Sequence, residues 1–445
     1  MSTSFFIKLL WTSLVAGFPL GNGSWTLYSC VIDAGSTGNR LHLYKASGGS
    51  GQRLLEESQS FKSSALIEII GNTPWHFEAI HETKNELALA KHGARVALGP
   101  LLETGKQWLK DLDLNVTNIP LYLGATAGVR VLPFGTLKSI MQGVHEEFSA
   151  SGFAYRKNFA RVLSGEEEAA FGWGAVQYLT NYTKQSVGVL DLGGGSTQIT
   201  TQESYTLSAE FELHSSADYK DRLFARSHLY FGGNGFKKQV QEFLAISLLN
   251  ENQTNGSNPC LVRGYQEKVE LSGILYTFTG TSNPVQCDQL TAETLKLHLS
   301  STCMQGSRAQ NECSIHGSYI PPDIKYRTFI AMNNFFHIWN FFDISGSRIV
   351  DLMSVTQGIC SMGLVQFEDY AKARKIPMKF AWDKCLDAYY VKHLLIDAYH
   401  FDPVATQIMP VNKLSGHSVT WALGLAIYEN YQRRVESLFS RLKQL

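Results

Sequence analysis

Neither sign of charge is in excess in this chain. Its 445 residues carry 39 lysines and arginines against 39 aspartates and glutamates. That leaves no basic field to hold a nucleic-acid backbone, and no long single-sign run names a partner. Long apolar runs are also scarce. Beyond the first two dozen residues none reaches the roughly 18 clean apolar positions that a membrane span needs. The seven cysteines form no CxxC pair and no Cys/His cluster of zinc-like spacing. Several nucleotide and hydrolase signatures are missing as well. GPLLETGKQ has one residue too many for a P-loop and places Gln107 where Ser or Thr is required. There is no GxGxxG turn, no GxSxG elbow and no HExxH pair.

What is present begins at the N-terminus. Residues 1–23 hold Lys8, an apolar run from Leu9 to Leu20 and small residues at Gly21–Gly23. This suits a signal peptide, an uncleaved anchor or a buried N-terminal helix. N-x-S/T sequons stand at Asn22, Asn115, Asn181, Asn252 and Asn255. Cys260, Cys287, Cys303 and Cys313 cluster in a segment rich in Gly, Ser, Asn and Thr, as in a disulfide-stapled excursion. Cys360 and Cys385 follow, and Cys30, inside an apolar strand, is expected to be a buried free thiol. Together these point to an oxidising secretory compartment. At this length, with 44% hydrophobic residues, the chain can bury two cores.

Two segments say nearly the same thing: SCVIDAGSTGNR (29–40) and GVLDLGGGSTQI (188–199). Each runs β-formers into one aspartate, then a glycine-rich turn, then Ser-Thr, and each predicts a hairpin. Glycines let backbone N–H groups approach an anion closely, hydroxyls add donors, and the aspartate is placed to hold a divalent cation. One copy alone would be an ordinary hairpin. Two copies predict a duplicated lobe with phosphate gripped between the turns.

Between them, IPLYLGATAGVRVLP (119–133) predicts a strand ending in small residues, with Thr126 in reach of a phosphate or a metal-bound water and Arg130 next. VLSGEEEAAFGWGAVQYL (162–179) predicts a helix with Ser164 as N-cap. Acidic residues suit a first helical turn. Consecutive helical positions point about 100° apart, so one glutamate of Glu166–Glu168 can turn towards a cleft and take a proton from water.

The segments DAGSTGNR, GATAGVR, SGEEEAAFGW, DLGGGSTQ and SVTWALGLAIYE (418–429) resemble, in order, the conserved regions of the ecto-nucleoside triphosphate diphosphohydrolases, or apyrases. The resemblance covers roughly residues 30–430. It implies an α/β fold of two ribonuclease-H-like lobes of the actin-like ATPase superfamily, with the active site in the interlobe cleft. The lobes would be residues 28–162 plus 413–445, and 163–412. The implied reaction is metal-dependent hydrolysis of the terminal phosphate of nucleoside tri- or diphosphates by in-line attack of water. Glu168 matches the catalytic base, and Ser196 and Gln198 the residues that orient the water. Ser36, Thr37, Thr126 and Gly193–Gly195 (Gly193, Gly194, Gly195) would hold phosphates. Asp33, Asp191 and Trp421 would hold Ca2+ or Mg2+ through its waters. Phe336, in NNFFHIWNFF, matches the aromatic that stacks on the base. The implied bridges are Cys260–Cys303, Cys287–Cys313 and Cys360–Cys385, although spacing leaves Cys303–Cys313 open.

Some positions depart from the pattern. Ala169 stands where the family has glycine, and HLYFGGNGF (228–236) lacks an arginine of the cell-surface members and looks like the Golgi and lysosomal branch. The last segment, YENYQRRVESLFSRLKQL, predicts an exposed helix rather than a membrane anchor. Two alternatives remain: an exopolyphosphatase or guanosine pentaphosphatase of the same superfamily, or a non-catalytic nucleotide-binding module.

Overall fold

The computed structural model describes residues 25–49, 52–63, 84–180, 187–203, 210–214, 220–299 and 312–442. The N-terminal segment 1–23 and the sequons at Asn22 and Asn181 lie outside the described residues.

The repeated sequence folds as a repeated sheet. In the first, β1 (Trp25–Gly35), β2 (Gly38–Gly49) and β3 (Gln52–Ser63) form an antiparallel meander. β4 (Leu121–Ala125) and β5 (Ala160–Val162) add in parallel on the other side of β1. The order is β3-β2-β1-β4-β5. In the second, β6 (Val187–Leu192), β7 (Ser196–Gln202) and β9 (Lys220–Leu229) repeat the meander, with β8 (Glu210–His214) as an extra edge. β13 (Thr328–Asn333) and β14 (Gln407–Pro410) repeat the parallel pair, giving β14-β13-β6-β7-β9-β8. Asp33 and Asp191 hold equivalent places, each beside a parallel strand: Asp33 opposite Gly124, and Asp191 opposite Met332.

Side-chain alternation along the central strands explains the layers. Cys30 and Ile32 face an outer core built by the helices Lys84–Asp111 and Phe134–Ala150. The first of these helices offers Ala94, Ala97, Leu98, Leu101 and Leu102, the spacing of one apolar stripe. Leu190 and Leu192 face the corresponding outer core of the second sheet. Val31, Val187 and Val189 point the other way, into one shared inner core. Two helices fill that inner layer, Gly165–Leu179 and Trp421–Leu442. They cross so closely that a Cβ on Gly424 would lie 1.9 Å from the carbonyl oxygen of Phe171. The C-terminal helix begins at Trp421, seven residues before the segment read as an exposed helix, and Trp421–Ala426 are buried because they seal the two sheets together.

The cysteine-rich excursion forms a small sheet of β10 (Asn255–Asn258), β11 (Gln266–Leu271) and β12 (Ile274–Gly280). Here the implied pairing is corrected. Cys260 bonds Cys287, with Cα atoms 4.7 Å apart, so neither Cys260–Cys303 nor Cys287–Cys313 forms. The reason is local: Asn283 caps the helix Pro284–Lys296 and its carbonyl accepts from Cys287 N, while Asn283 N donates to Pro259 O beside Cys260. Cys313 is also disulfide-bonded. Cys360–Cys385 forms as expected, and Cys30 is a buried free thiol.

Candidate active site

The first hairpin closes in the fewest residues the chain allows. Gly35 pairs with Gly38, leaving Ser36 and Thr37 as the turn, and Gly38 takes φ +147°, where a Cβ is disfavoured. The second turn is Gly193–Gly195, closed by Gly193 N donating to Ser196 O at 3.0 Å. The two turns meet. A Cβ on Gly194 would lie 2.8 Å from both Ser36 Oγ and Thr37 Cγ2, and one on Gly195 would lie 2.9 Å from Ala127 Cβ. Gly128 packs equally tightly on Ser36, at 2.8 Å from its Cα. Any larger residue at these glycines would force the turns apart. Thr126, nearly fully buried, ties β4 to β1 by donating its N–H to Ala34 O at 3.1 Å.

The three glutamates separate as helical geometry requires. Glu167 completes a capping box with Ser164, at 3.1 Å and 2.9 Å, and pairs with Arg161. Glu166 stays partly exposed, while Glu168 turns inward and is 8% exposed. There it meets Gln198 and Ser196. Gln198 Nε2 lies 3.3 Å from Glu168 Oε2, 2.7 Å from Ser196 Oγ and 3.0 Å from Ser227 Oγ. Arg130 joins from the turn after β4, donating to Glu168 Oε2 at 2.8 Å, to Ser196 Oγ at 3.1 Å and to Leu163 O at 3.1 Å.

Asp33 and Asp191 complete the cluster. Burial, opposed by Arg40 and reinforced by Glu168 and Asp191, pushes the Asp33 carboxyl up to about 7. Burial and Glu168 push Asp191 up to about 7, against the Asn333 hydrogen bond. Burial raises Glu168 as well, against the Arg130 ion pair. The three carboxyl groups repel one another at the meeting of the two glycine turns, yet among the described residues no three gather closely enough to chelate an ion directly, so they suit a hard divalent cation reached through its waters. Gln198 Oε1 is buried and accepts no hydrogen bond, an orphaned acceptor that a water molecule would satisfy. The residues present therefore fit a Ca2+ or Mg2+ ion held with its waters.

The other expected residues fall into two groups. Phe336 is partly buried in the first turn of the helix Asn334–Phe342, next to Asn334, whose Nδ2 donates to Gly193 O at 3.2 Å. Its neighbours Phe335, Phe341 and Phe342 are core residues, so Phe336 is the ring of the run set apart beside the turn. Trp421 is 4% exposed, and its ring packs on Gly124, the residue paired with Asp33. It stands behind the carboxylate in the inner core, one strand from Asp33.

Sequence reading gave no role to several residues that the fold brings here. Arg130 was visible only as the end of GATAGVR. Arg40 is paired with Asp33 across the hairpin and also acts on His337, on the helix that follows β13 of the second sheet. Lys62 crosses the hairpin, its Cε 2.5 Å from where a Gly38 Cβ would be. Asn333 donates to Asp191 Oδ1 at 2.5 Å. Arg40 and Arg130 end two of the quoted segments, but nothing local names their partners, since each of the four arrives from a different strand or helix.

Fold and site together present two equivalent hairpins, each with its carboxylate, and an inward-facing glutamate between them. Comparison with known proteins agrees. The GDA1/CD39 (nucleoside phosphatase) family description matches residues 24–440, and the chain belongs to that family. It is 25% identical to human ectonucleoside triphosphate diphosphohydrolase 3, in an alignment covering 93% of this chain and 80% of the relative. It is 26% identical to human nucleoside diphosphate phosphatase ENTPD5, covering 92% and 89%. The fold is similar to the crystal structure of nucleoside triphosphate hydrolases from Neospora caninum, with TM-score 0.68, 13% identity, and 93% of each chain covered.

Proposed function

We propose that this chain hydrolyses the terminal phosphate of nucleoside tri- or diphosphates in the cleft between lobe 28–162 plus 413–445 and lobe 163–412. The observation that carries the reading is the contact of Glu168, Gln198 and Ser196 where the two glycine turns meet. The turns Ser36–Thr37 and Gly193–Gly195 supply N–H and hydroxyl donors to the phosphates, with Thr126 behind them. Arg40 and Lys62 add positive charge at the first turn. Glu168 accepts a proton from the attacking water, and Gln198 Oε1 is the acceptor free to take its second hydrogen. A water donating to both presents a lone pair for in-line attack. Ser196 fixes the Gln198 amide, and the Arg130 ion pair opposes the rise that burial gives the Glu168 carboxyl. Asp33 and Asp191 would hold a divalent cation, Ca2+ or Mg2+, with Trp421 closing the back of that side. When bound, the cation neutralises charge that develops on the phosphoryl oxygens.

Phe336 is the residue we assign to the base, since the first helical turn that carries it also bonds the Gly193 turn. Buried disulfides support an oxidising secretory compartment, secreted or within the Golgi, lysosome or endoplasmic reticulum. The sequon asparagines Asn115, Asn252 and Asn255 are exposed, as N-glycan acceptors must be. Among the described residues no helix is long and apolar enough to cross a membrane.

The test is phosphate release from ATP, ADP, UDP, GDP and polyphosphate, with Ca2+, Mg2+ or EDTA, for wild type and Glu168→Gln. The expected result is metal-dependent release from nucleotides that the variant abolishes. Release from polyphosphate alone would make the protein an exopolyphosphatase. Nucleotide binding without release would make it a binding module.

A further inference from the structure

Asn333 breaks two rules at once. It is the N-cap of the helix Asn334–Phe342, and asparagine is among the preferred N-caps because its side chain accepts from the first free N–H groups. Here it makes no capping bond. Its backbone also takes φ 58°, ψ −119°, the first central position of a type II′ turn, where glycine is the residue of choice. The side chain that forgoes its cap donates to Asp191 Oδ1 at 2.5 Å. The next residue, Asn334, donates to Gly193 O at 3.2 Å, two residues past Asp191. A strained corner thus holds both the second carboxylate and the turn that follows it.

We propose that Asn333 is a positioning residue for Asp191. By occupying Oδ1 it leaves Oδ2 as the carboxylate oxygen that serves a cation or its water, and it fixes the χ2 angle of a side chain packed at the end of β6. This rests on the function proposed above, in which Asp191 faces the metal. It goes beyond that function by naming a residue outside the five conserved segments that sets metal affinity. It also links the helix bearing Phe336 to the metal-holding carboxylate, so that a base seated on Phe336 and a cation at Asp191 share one rigid corner.

Local geometry offers a competing explanation: Asn333 could be there only because asparagine tolerates positive φ better than most residues. Glycine separates the two. Asn333→Gly relieves the backbone and removes the amide, whereas Asn333→Ala removes the amide and keeps the strain. Metal binding is read directly by calorimetric titration of Ca2+ and Mg2+ into chelator-treated protein holding a non-hydrolysable nucleotide analogue. Thermal unfolding of the metal-free proteins is measured alongside. Both variants are expected to bind the cation about tenfold more weakly or worse, as for loss of other outer-shell partners. The metal-free Gly variant is expected to unfold at a higher temperature than the Ala variant. In steady state, the cation concentration for half-maximal rate should rise by a similar factor, with a smaller change in the rate at saturating cation. A Gly variant with wild-type metal affinity would overturn the proposal and leave Asn333 a turn residue. A wild type that shows no cation binding in the same titration would instead overturn the function on which the proposal rests.

Discussion

Replacing Arg130 by methionine removes the counter-charge of Glu168 while keeping most of the side chain's length. The two groups lie 2.8 Å apart with side-chain exposures of 13% and 9%, so water can do little to compensate. Breaking such a buried pair by removing one partner costs about 3–5 kcal/mol, most of it the penalty of an uncompensated buried charge. We take the low end, about 3 kcal/mol, because both side chains keep a tenth of their surface wet. The protein can avoid that penalty by leaving Glu168 protonated, since burial already raises its carboxyl and Arg130 is what opposes the rise. A protonated Glu168 cannot take a proton from water. The penalty therefore reappears as lost rate: about 3 kcal/mol is about 100-fold at neutral pH. It is recovered as alkali ionises the carboxyl. The assay is kcat against pH, at saturating metal and nucleotide, for wild type and Arg130→Met. The acidic limb should move to higher pH, and the deficit should shrink steadily above neutrality. A loss of the same size at every pH would refute the reasoning and make Arg130 a phosphate ligand or a purely structural residue. Arg130→Lys keeps the charge, so it should leave the limb near its wild-type position even if the rate falls.

Metal-free protein should lose stability as pH rises from about 4 to about 7. Carboxyl groups raised from 3.8 to about 7 hold more protons in the native than in the unfolded state, so their contribution is full below that window and gone above it. Three units correspond to about 4 kcal/mol for either aspartate alone, and the rise in Tm on adding Ca2+ or Mg2+ should grow over the same window; a flat profile would show that the two are not desolvated together. Gly424→Ala should cost about 3 kcal/mol or prevent folding, because its methyl would meet the Phe171 backbone; urea unfolding measures it, and a neutral result would mean the crossing helices are looser than described. Non-reducing peptide mapping should recover Cys260 joined to Cys287, and the Cys260→Ala, Cys287→Ala double variant should lose about 3 kcal/mol for a loop of 27 residues. Recovery of Cys260 joined to Cys303 would restore the pairing the resemblance implied.

The parts of this molecule that were legible in the sequence are those written in consecutive residues. The two hairpins could be read because strand, aspartate, glycine turn and Ser-Thr follow one another, and the structure sets them in equivalent places of two like-ordered sheets. The sorting of Glu166, Glu167 and Glu168 followed from the turn angle of one helix and a Ser164 cap. What was missed depends on where the chain returns. The Cys260–Cys287 pairing was misread because the family's spacing says nothing of the Asn283 cap and its bond to Pro259 O. The burial of Trp421–Ala426 at the start of the C-terminal helix was not legible either, because only the folded chain shows these residues closing the inner core between the two sheets. Arg130, Arg40, Lys62 and Asn333 reach the carboxylates from four separate elements. Their side chains act on groups that are 38, 7, 29 and 142 residues away in the chain, and no local pattern records such distances. Yet these cations and amides are what make three crowded carboxyl groups, two of them buried, tolerable before a metal arrives. The motif residues supply the reacting groups. Their ionisation and aim belong to residues that only the fold brings near, so substitutions at Arg130 and Asn333 should alter pH dependence and metal affinity while every reacting group stays in place.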